Sequence, residues 1–356
     1  MKQIENIKKF VTNKLVYCGI DVHKLHWHLC FYCDGMVVDK IVITSDFEKL
    51  LSHTRRFYST ARQVRFVYEA GFSGTWLYRQ LERHNYDCII TPPNRMPQTF
   101  NKVKTDKKDA EKLAQFFAAG LLKEVYVLPL SAESDRQVIR LRKKCQKKLT
   151  RVKNQIKSFL NLYGIKWPKT NGNSWTKKYI HWLENLEFEC ANQQVIIDEY
   201  LNEYHFLRDQ VAKLTRRLRE MSRQKNYSKS FKLLTSCRGV GLMTAMTFLL
   251  ELHDVSRFSS SDKFCSYLGL TPSQFSSGEH TRLGHITREG NAHVRAVVVE
   301  AAWTVIRHDP ILREKYDRIR AKGTNGKKAI VAVARTLAVR LRRCLLDDID
   351  YVIGVC

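Results

Sequence analysis

From residue 14 to residue 128 the chain alternates short apolar runs with amphipathic stretches. KLVYCGID, WHLCFYCDG and MVVDKIVIT read as three successive strands, with Asp34-Gly35 as the turn between the last two. VRFVYEA and YDCIITPP read as two more strands, TWLYRQLERH as a helix between them and DAEKLAQFFAAGLL as a helix after them. This order predicts a mixed α/β sheet that begins as an antiparallel meander.

The pattern then changes period. Over 136–157, Val138, Leu141, Cys145, Leu149, Val152 and Ile156 recur at steps of three or four and continue to Phe159, which predicts a helix with one apolar stripe. A break follows at GIKWPKTNGNS, after which Ile197, Tyr200, Tyr204, Leu207, Val211, Leu214, Leu218 and Met221 repeat as in a coiled coil. The stripes do not distinguish pairing within one chain from pairing across two. From about 226 the chain reads as glycine-punctuated helices around a loop rich in glycine and serine. Three units are expected: 1–128, 129–225 and 226–356.

Composition adds charge to this picture. The 356 residues carry 61 Lys+Arg against 35 Asp+Glu, a net +26, with 44% hydrophobic residues, enough for real cores. Such a surplus points to a polyanion, either nucleic acid or an anionic membrane. The longest apolar runs, MTFLLEL and AIVAVA, fall far short of the roughly 20 residues of a membrane span. MKQIENIKKFVTNK lacks the apolar core of a signal peptide, so a cytoplasmic, nucleic-acid-binding protein is expected. Ten dispersed cysteines read as free, mostly buried thiols, and Cys30-x-x-Cys33 has no second ligand pair at zinc-finger spacing.

The basic residues have two focal points. The stretch 136–157 holds ten basic residues and no acid, with Arg140, Arg142, Lys143, Lys144, Lys147, Lys148 and Arg151 as candidate polyanion contacts, against the plainer reading of a solvated face. The second, VKTDKKDAEKLAQ, sets Asp106 and Asp109 among Lys104, Lys107 and Lys108. Two acids also close apolar runs: Asp21 after KLVYCGI and Glu69 after VRFVY. Each alone reads as a strand-end or helix-start residue. Together they match the way an RNase H-like sheet gathers carboxylates at one edge, since helix residues three apart share a face about 5 to 6 Å apart. Two Mg²⁺ ions roughly 3.5 to 4 Å apart on such oxygen ligands hold a phosphate and stabilise the attacking and leaving oxygens.

Downstream, CRGVGLMTAMTFLLEL reads as a helix-hairpin-helix element, in which Gly239 and Gly241 permit a tight turn whose amides meet a phosphate, or as a simple interhelical turn. YLGLTPSQFSSGEHTRLGHITREGNAHVR follows, with Arg282, Arg288 and Arg295 as candidate phosphate contacts. Ser273, Ser276 and Ser277 crowd one polar loop there, and the residues themselves do not choose among them.

GIDVHK, VYEAGFSGTWLYRQL and KTDKKDAEKLA together resemble the N-terminal domain of the DEDD-type insertion-sequence transposases, the bridge-RNA-guided recombinases, whose fold is similar to that of the resolvase RuvC. The later block resembles their C-terminal domain, with its pattern G-L-x-P, S-G, then G-x-I, a basic residue, x, G and R. The resemblance spans roughly two thirds of the chain and departs from the family at His23, where serine is frequent, and at Thr287-Arg288, where Ser-Lys is usual. It implies the metal-binding acids Asp21, Glu69, Asp106 and Asp109 and the nucleophile Ser277, with Ser276 as rival. The implied fold is α/β plus α: an RNase H-like (RuvC-like) N-terminal domain, a helical coiled-coil middle and a mainly helical C-terminal domain. The implied activity is RNA-guided DNA transposition with Mg²⁺ and a phosphoserine intermediate. The implied partners are donor and target DNA and a structured noncoding RNA held by the basic helix and first domain, and pairing two DNA duplexes at four strands argues for a homotetramer, a dimer of dimers. A metal-dependent junction endonuclease using water, and a non-catalytic nucleic-acid scaffold, are the alternatives.

Overall fold

The computed structural model describes residues 2–93, 96, 106–167, 175–277 and 280–354, with side chains at all of these except 106, 107, 274–277 and 280–283. It divides into two compact units, Met1–Val127 and Leu128–Cys356. The residues expected to form a separate middle unit belong to the second of these.

The first unit runs α1 (Lys2–Val11), β1 (Leu15–Val22), β2 (His26–Cys33), β3 (Met36–Thr44), α2 (Phe47–Phe57), β4 (Gln63–Glu69), α3 (Trp76–Arg83), β5 (Asp87–Thr91) and α4 (Asp106–Ala118). The five strands form one sheet in the order β3-β2-β1-β4-β5. β1, β2 and β3 pair antiparallel, while β4 lies parallel to both β1 and β5. The expected meander is present, and the sheet is mixed. Helices α1 and α2 are absent from the sequence reading, although α2 has a clear start signal: the Asp46 side chain accepts the Glu48 amide at its N-cap.

Alternation along the strands sorts side chains to two faces. Val16, Cys18 and Ile20 of β1 join Val64, Phe66 and Tyr68 of β4 in a core with Leu50, Leu77 and Leu81 of the helices. The other face is covered by α4, whose Ala110 and Ala114 pack on Cys30, and whose Leu113 and Phe117 pack on Val67.

The second unit contains α5 (Leu130–Leu162), α6 (Lys177–Glu184), α7 (Ala191–Ser222), α8 (Lys225–Thr235), α9 (Leu242–Leu252), α10 (Ser261–Leu268), β6 (Pro272–Ser277), β7 (His280–Ile286), α11 (Ala292–Val305), α12 (Pro310–Ala321) and α13 (Gly326–Asp347). The two long helices α5 and α7 pack on each other within the chain. Their direction is antiparallel: Arg142 meets Thr215 near one end, and the Phe159 and Tyr200 rings meet near the other, 6.2 Å apart. Leu149, Val152, Ile156, Ile197, Leu201, Tyr204 and Leu207 form their shared core. The stripe is corrected at one place, because Leu141 is exposed and Ile139 is buried instead. Ile139, Leu218 and Met221 enter the core of α9, α11 and α13, which explains why no boundary forms near 225. The loop expected after α10 contains a hairpin, β6 paired antiparallel with β7.

Candidate active site

Parallel pairing of β1 with β4 proceeds through Gly19↔Val67 and Ile20↔Tyr68, so Asp21 and Glu69 stand one step beyond, at the same ends of adjacent strands. Since Ile20 and Tyr68 face the α1–α3 side, alternation turns Asp21 and Glu69 toward the face that α4 covers. Gly19 sets the distance to that helix. A Cβ on Gly19 would lie 2.1 Å from the Ala110 carbonyl oxygen and 2.7 Å from the Ala114 amide, so only glycine lets α4 approach β1 this closely. The approach seats the first turn of α4, which carries Asp109, against the strand that carries Asp21.

Asp21 and Asp109 are both partly shielded, at 22% and 20% side-chain exposure. The Asp109 carboxylate lies 4.0 Å from Lys112 Nζ. Asp106 opens α4, three residues before Asp109. Its side chain and that of Lys107 lie outside the described residues, as does Lys104 altogether, while Lys108 is exposed. A residue to which the sequence reading gave no role joins the group: His23 Nε2 lies 3.0 Å from Asp21 Oδ2. The two-residue spacing from Asp21 is the only sequence signal for that contact.

The neighbouring acid Glu111 is engaged elsewhere, 2.8 Å from Lys40 Nζ on β3, and this hydrogen bond raises the Lys40 pKa. Burial, followed by Glu111, pushes the Cys30 thiol up to about 12, which keeps it protonated and removes it as a thiolate ligand. Among the described residues no three His, Cys, Asp or Glu side chains form a cluster able to hold a metal ion. The donor chemistry still suits a hard cation: carboxylate oxygens on two adjacent strand ends and on the helix turn brought to them.

In the second unit the motif glycines have a packing reason. Gly269 ends α10 with φ 65°, and a Cβ there would meet the Glu289 carbonyl at 2.5 Å. Gly290 has φ 115°, and its Cβ would lie 2.1 Å from the Tyr267 carbonyl. The segment after β7 therefore crosses the end of α10 in close backbone contact, pinned by Asn291 N donating to Tyr267 O at 2.8 Å. Arg295 donates to the Leu268 carbonyl at 2.7 Å, and burial followed by Arg288 lowers its pKa. Ser277 ends β6 opposite His280, and Ser276 faces Thr281 in the ladder. Gly278 lies outside the described residues, as do the side chains of Ser276, Ser277 and Arg282. Ser273 is described and donates to the His285 carbonyl at 3.0 Å.

Gly239 takes φ 108° in the turn between α8 and α9, where a Cβ would strike Val305 at 2.9 Å, whereas Gly241 opens α9 with nothing within 4 Å of an added Cβ. On α5 the basic residues divide. Lys144, Lys147, Lys148 and Arg151 are exposed. Arg142 Nε bonds Thr215 at 2.7 Å, and burial lowers the pKa of both Arg142 and Lys143. Arg140 is turned inward: it donates twice, at 2.8 Å each, to Glu251, whose side chain is 0% exposed. Asn291 adds a third bond to Glu251 at 3.0 Å.

The sheet order, with acids at adjacent strand ends under a covering helix, is consistent with the RNase H-like domain of a DEDD transposase. Comparison with known proteins agrees. Residues 18–165 match a DEDD transposase model of the IS110 type, and residues 231–317 match the model described as "Transposase IS116/IS110/IS902 family". The chain belongs to this IS110/IS116 transposase family. It is 32% identical over 242 residues to the putative transposase y4qE of Sinorhizobium fredii, covering 68% of this chain and 58% of the relative. It is 27% identical over 243 residues to the transposase for insertion sequence element IS1533 of Leptospira borgpetersenii, covering 67% and 70%. The transposase for IS1111A of Coxiella burnetii is 21% identical over 89% of this chain and 85% of the relative. The chain thus spans less than two thirds of the length of the y4qE protein. Among the described residues no helix is long and apolar enough to cross a membrane.

Proposed function

We propose that this chain is an RNA-guided DNA transposase that excises and integrates an insertion sequence by breaking and rejoining DNA strands in the cytoplasm. The observation that carries the reading is the placement of Asp21 and Glu69 on adjacent strand ends facing a helix whose close approach Gly19 permits. Asp21, Glu69, Asp109 and Asp106 would hold Mg²⁺, two ions in the favoured arrangement. When bound, Mg²⁺ supplies charge neutralisation at the phosphate and at the oxygens entering and leaving it.

The chain's own residues do the rest. Ser277 Oγ attacks the phosphorus and loses its proton, forming one P–O ester as the bond to a deoxyribose oxygen breaks and that oxygen gains a proton. One phosphoester replaces another, so the freed strand end of a second duplex can attack the phosphoserine and restore Ser277 without ATP. Exposed Lys144, Lys147, Lys148 and Arg151 of α5, with Lys104, Lys107 and Lys108 near the acids, hold the backbones of the guide RNA and DNA. Arg282 and Arg288 contact the scissile strand, and the turn amides near Gly241 contact a phosphate. Base pairing by the guide then reads donor and target sequence. Cleavage of paired duplexes calls for four protomers, assembled as a dimer of dimers.

The test is the covalent species. Full-length protein with its element-encoded RNA and nicked donor DNA is expected to yield a denaturant-resistant protein–DNA adduct in Mg²⁺, absent in Ser277→Ala and in Asp21→Ala. Intact cleavage by Ser277→Ala would replace this reading with a water-using endonuclease. Strand exchange unchanged by Asp21→Ala and Asp106→Ala would reduce the chain to a scaffold.

A further inference from the structure

Among the described residues of the first unit, the two most exposed large apolar ones are Leu25, at 74%, and Phe72, at 64%. Isolated exposed apolar residues are ordinary, so position decides what these mean. Leu25 stands four residues after Asp21 in the β1–β2 turn, and Phe72 stands three residues after Glu69 in the loop leaving β4. Both occupy the strand ends that carry the acids. The next most exposed among the described residues, Met36 and Leu121 at 55%, sit at the start of β3, at the opposite end of the sheet, and beyond the end of α4.

Both turns are held. His23 N donates to His26 O at 3.2 Å across the β1–β2 turn, and Ser45 binds the turn twice, through N to Leu25 O at 3.0 Å and through Oγ to Lys24 O at 2.7 Å. In the second loop Gly74 N donates to Gly71 O at 3.2 Å. The buried Tyr68 hydroxyl donates to Gly74 O at 2.9 Å and accepts the Tyr78 amide at 3.2 Å. Burial pushes the Tyr68 phenol upward, so it remains a donor. Arg79 also ties back to Thr75 Oγ1 at 2.8 Å. Fixed turns thus project two apolar groups into water beside carboxylates, with the exposed Lys24 next to one of them.

We infer that Leu25 and Phe72 form a wedge that contacts nucleobases on either side of the phosphate at the acid edge and keeps that step unstacked. An aromatic ring on a fixed loop stacks on any base, and aliphatic side chains insert between base steps. A base pair left stacked keeps its phosphate in the regular duplex path, whereas an opened step turns that phosphate toward the strand ends. The occupant is therefore unpaired or branched DNA, in preference to intact duplex. The inference rests on the reading of Asp21 and Glu69 as the cleavage site.

The experiment uses the full chain without divalent cation, so that binding is read apart from cleavage. The probes are a four-way DNA junction with 2-aminopurine beside the branch and a linear duplex of equal length. Phe72→Ala is expected to lose about 5- to 150-fold in junction affinity, corresponding to stacking on one base. It should quench the probe's unstacking signal, change duplex affinity less than twofold, and be rescued by Phe72→Trp. Leu25→Asn should give a smaller loss of the same kind. Equal loss on junction and duplex, or an unchanged 2-aminopurine signal, overturns the wedge. If Phe72→Ala behaves as wild type while the wild type still forms the Ser277 adduct in Mg²⁺, the wedge fails and the transposase reading stands. If the wild type forms no adduct and cleaves nothing, the reading itself fails and the wedge falls with it.

Discussion

Replacing Arg140 is expected to destabilise the second unit rather than weaken nucleic-acid binding. Glu251 is fully buried and accepts two bonds from Arg140 at 2.8 Å and one from Asn291 at 3.0 Å. Arg140→Met leaves that carboxylate with the Asn291 bond and the His293 Nδ1 3.9 Å away, and removing the guanidinium from a buried charge costs about 3 to 5 kcal/mol. Glu251→Leu costs less, about 2 to 3 kcal/mol, because the 32%-exposed Arg140 side chain can turn its head to water. The double variant removes both charges and leaves only Asn291 short of a partner, for a net cost of about 1 to 2 kcal/mol. The coupling in this double-mutant cycle should therefore exceed about 2 kcal/mol. Urea denaturation followed by fluorescence reads it: at about 2 kcal/mol/M, Arg140→Met shifts the midpoint down by more than about 1 M. A cost below about 1 kcal/mol for Arg140→Met, or a coupling below about 0.5 kcal/mol, would refute the reasoning.

The same pair sets a pH dependence. Burial alone would push the Glu251 carboxyl up, but the hydrogen bonds from Arg140 and Asn291 outweigh it and hold the group below its ordinary value. A depressed folded pKa stabilises fully above the unfolded value of about 4.3 and is lost as pH falls through the folded value. The stability gap between wild type and Glu251→Leu should accordingly be constant from about pH 7 to 8, above the ordinary range of the neighbouring His293, and narrow below about pH 4.

Gly19→Ala places a methyl group 2.1 Å from the Ala110 carbonyl and should cost about 1 to 3 kcal/mol, since α4 must retreat from β1; on the proposed function it should also lower divalent-cation affinity measured by calorimetry. Arg340, 3% exposed and bonded to the buried Asp309 at 2.8 Å, should cost about 3 to 5 kcal/mol on replacement by Ala, read by thermal or urea unfolding. Lys147→Ala and Lys148→Ala should each lower the salt slope of RNA or DNA binding by about one, with no change in urea midpoint, whereas Arg140→Met should do the reverse. Alkylation of the folded protein at neutral pH should label Cys190 before the other described cysteines, which are buried.

The strands were legible because alternation has a period of two, and that period also puts Asp21 and Glu69 opposite the residues that fill the α1–α3 core. The long helices were legible for the analogous reason, with the error at Leu141 and Ile139 arising where the stripe passes from the α7 partner to the core of α9 and α13. The β6–β7 hairpin was missed because its polar, serine-rich sequence gives no apolar alternation, and its pairing is supplied by backbone bonds. Arg140 was misjudged for a related reason: charge counting cannot see a buried acid 111 positions away.

Local order in the chain therefore determined which segments become strands and helices, which face of each is apolar, and which acids close the strands. Only the tertiary structure decided that β1 and β4 are neighbours, that α4 rests on Gly19, that α5 and α7 pair within one chain, and that Arg140 belongs to Glu251. The physical reason is range. Periodicity and capping act over a few residues, whereas strand adjacency, a backbone approach that only glycine permits and the partnering of a buried charge are settled by which distant surfaces exclude water together.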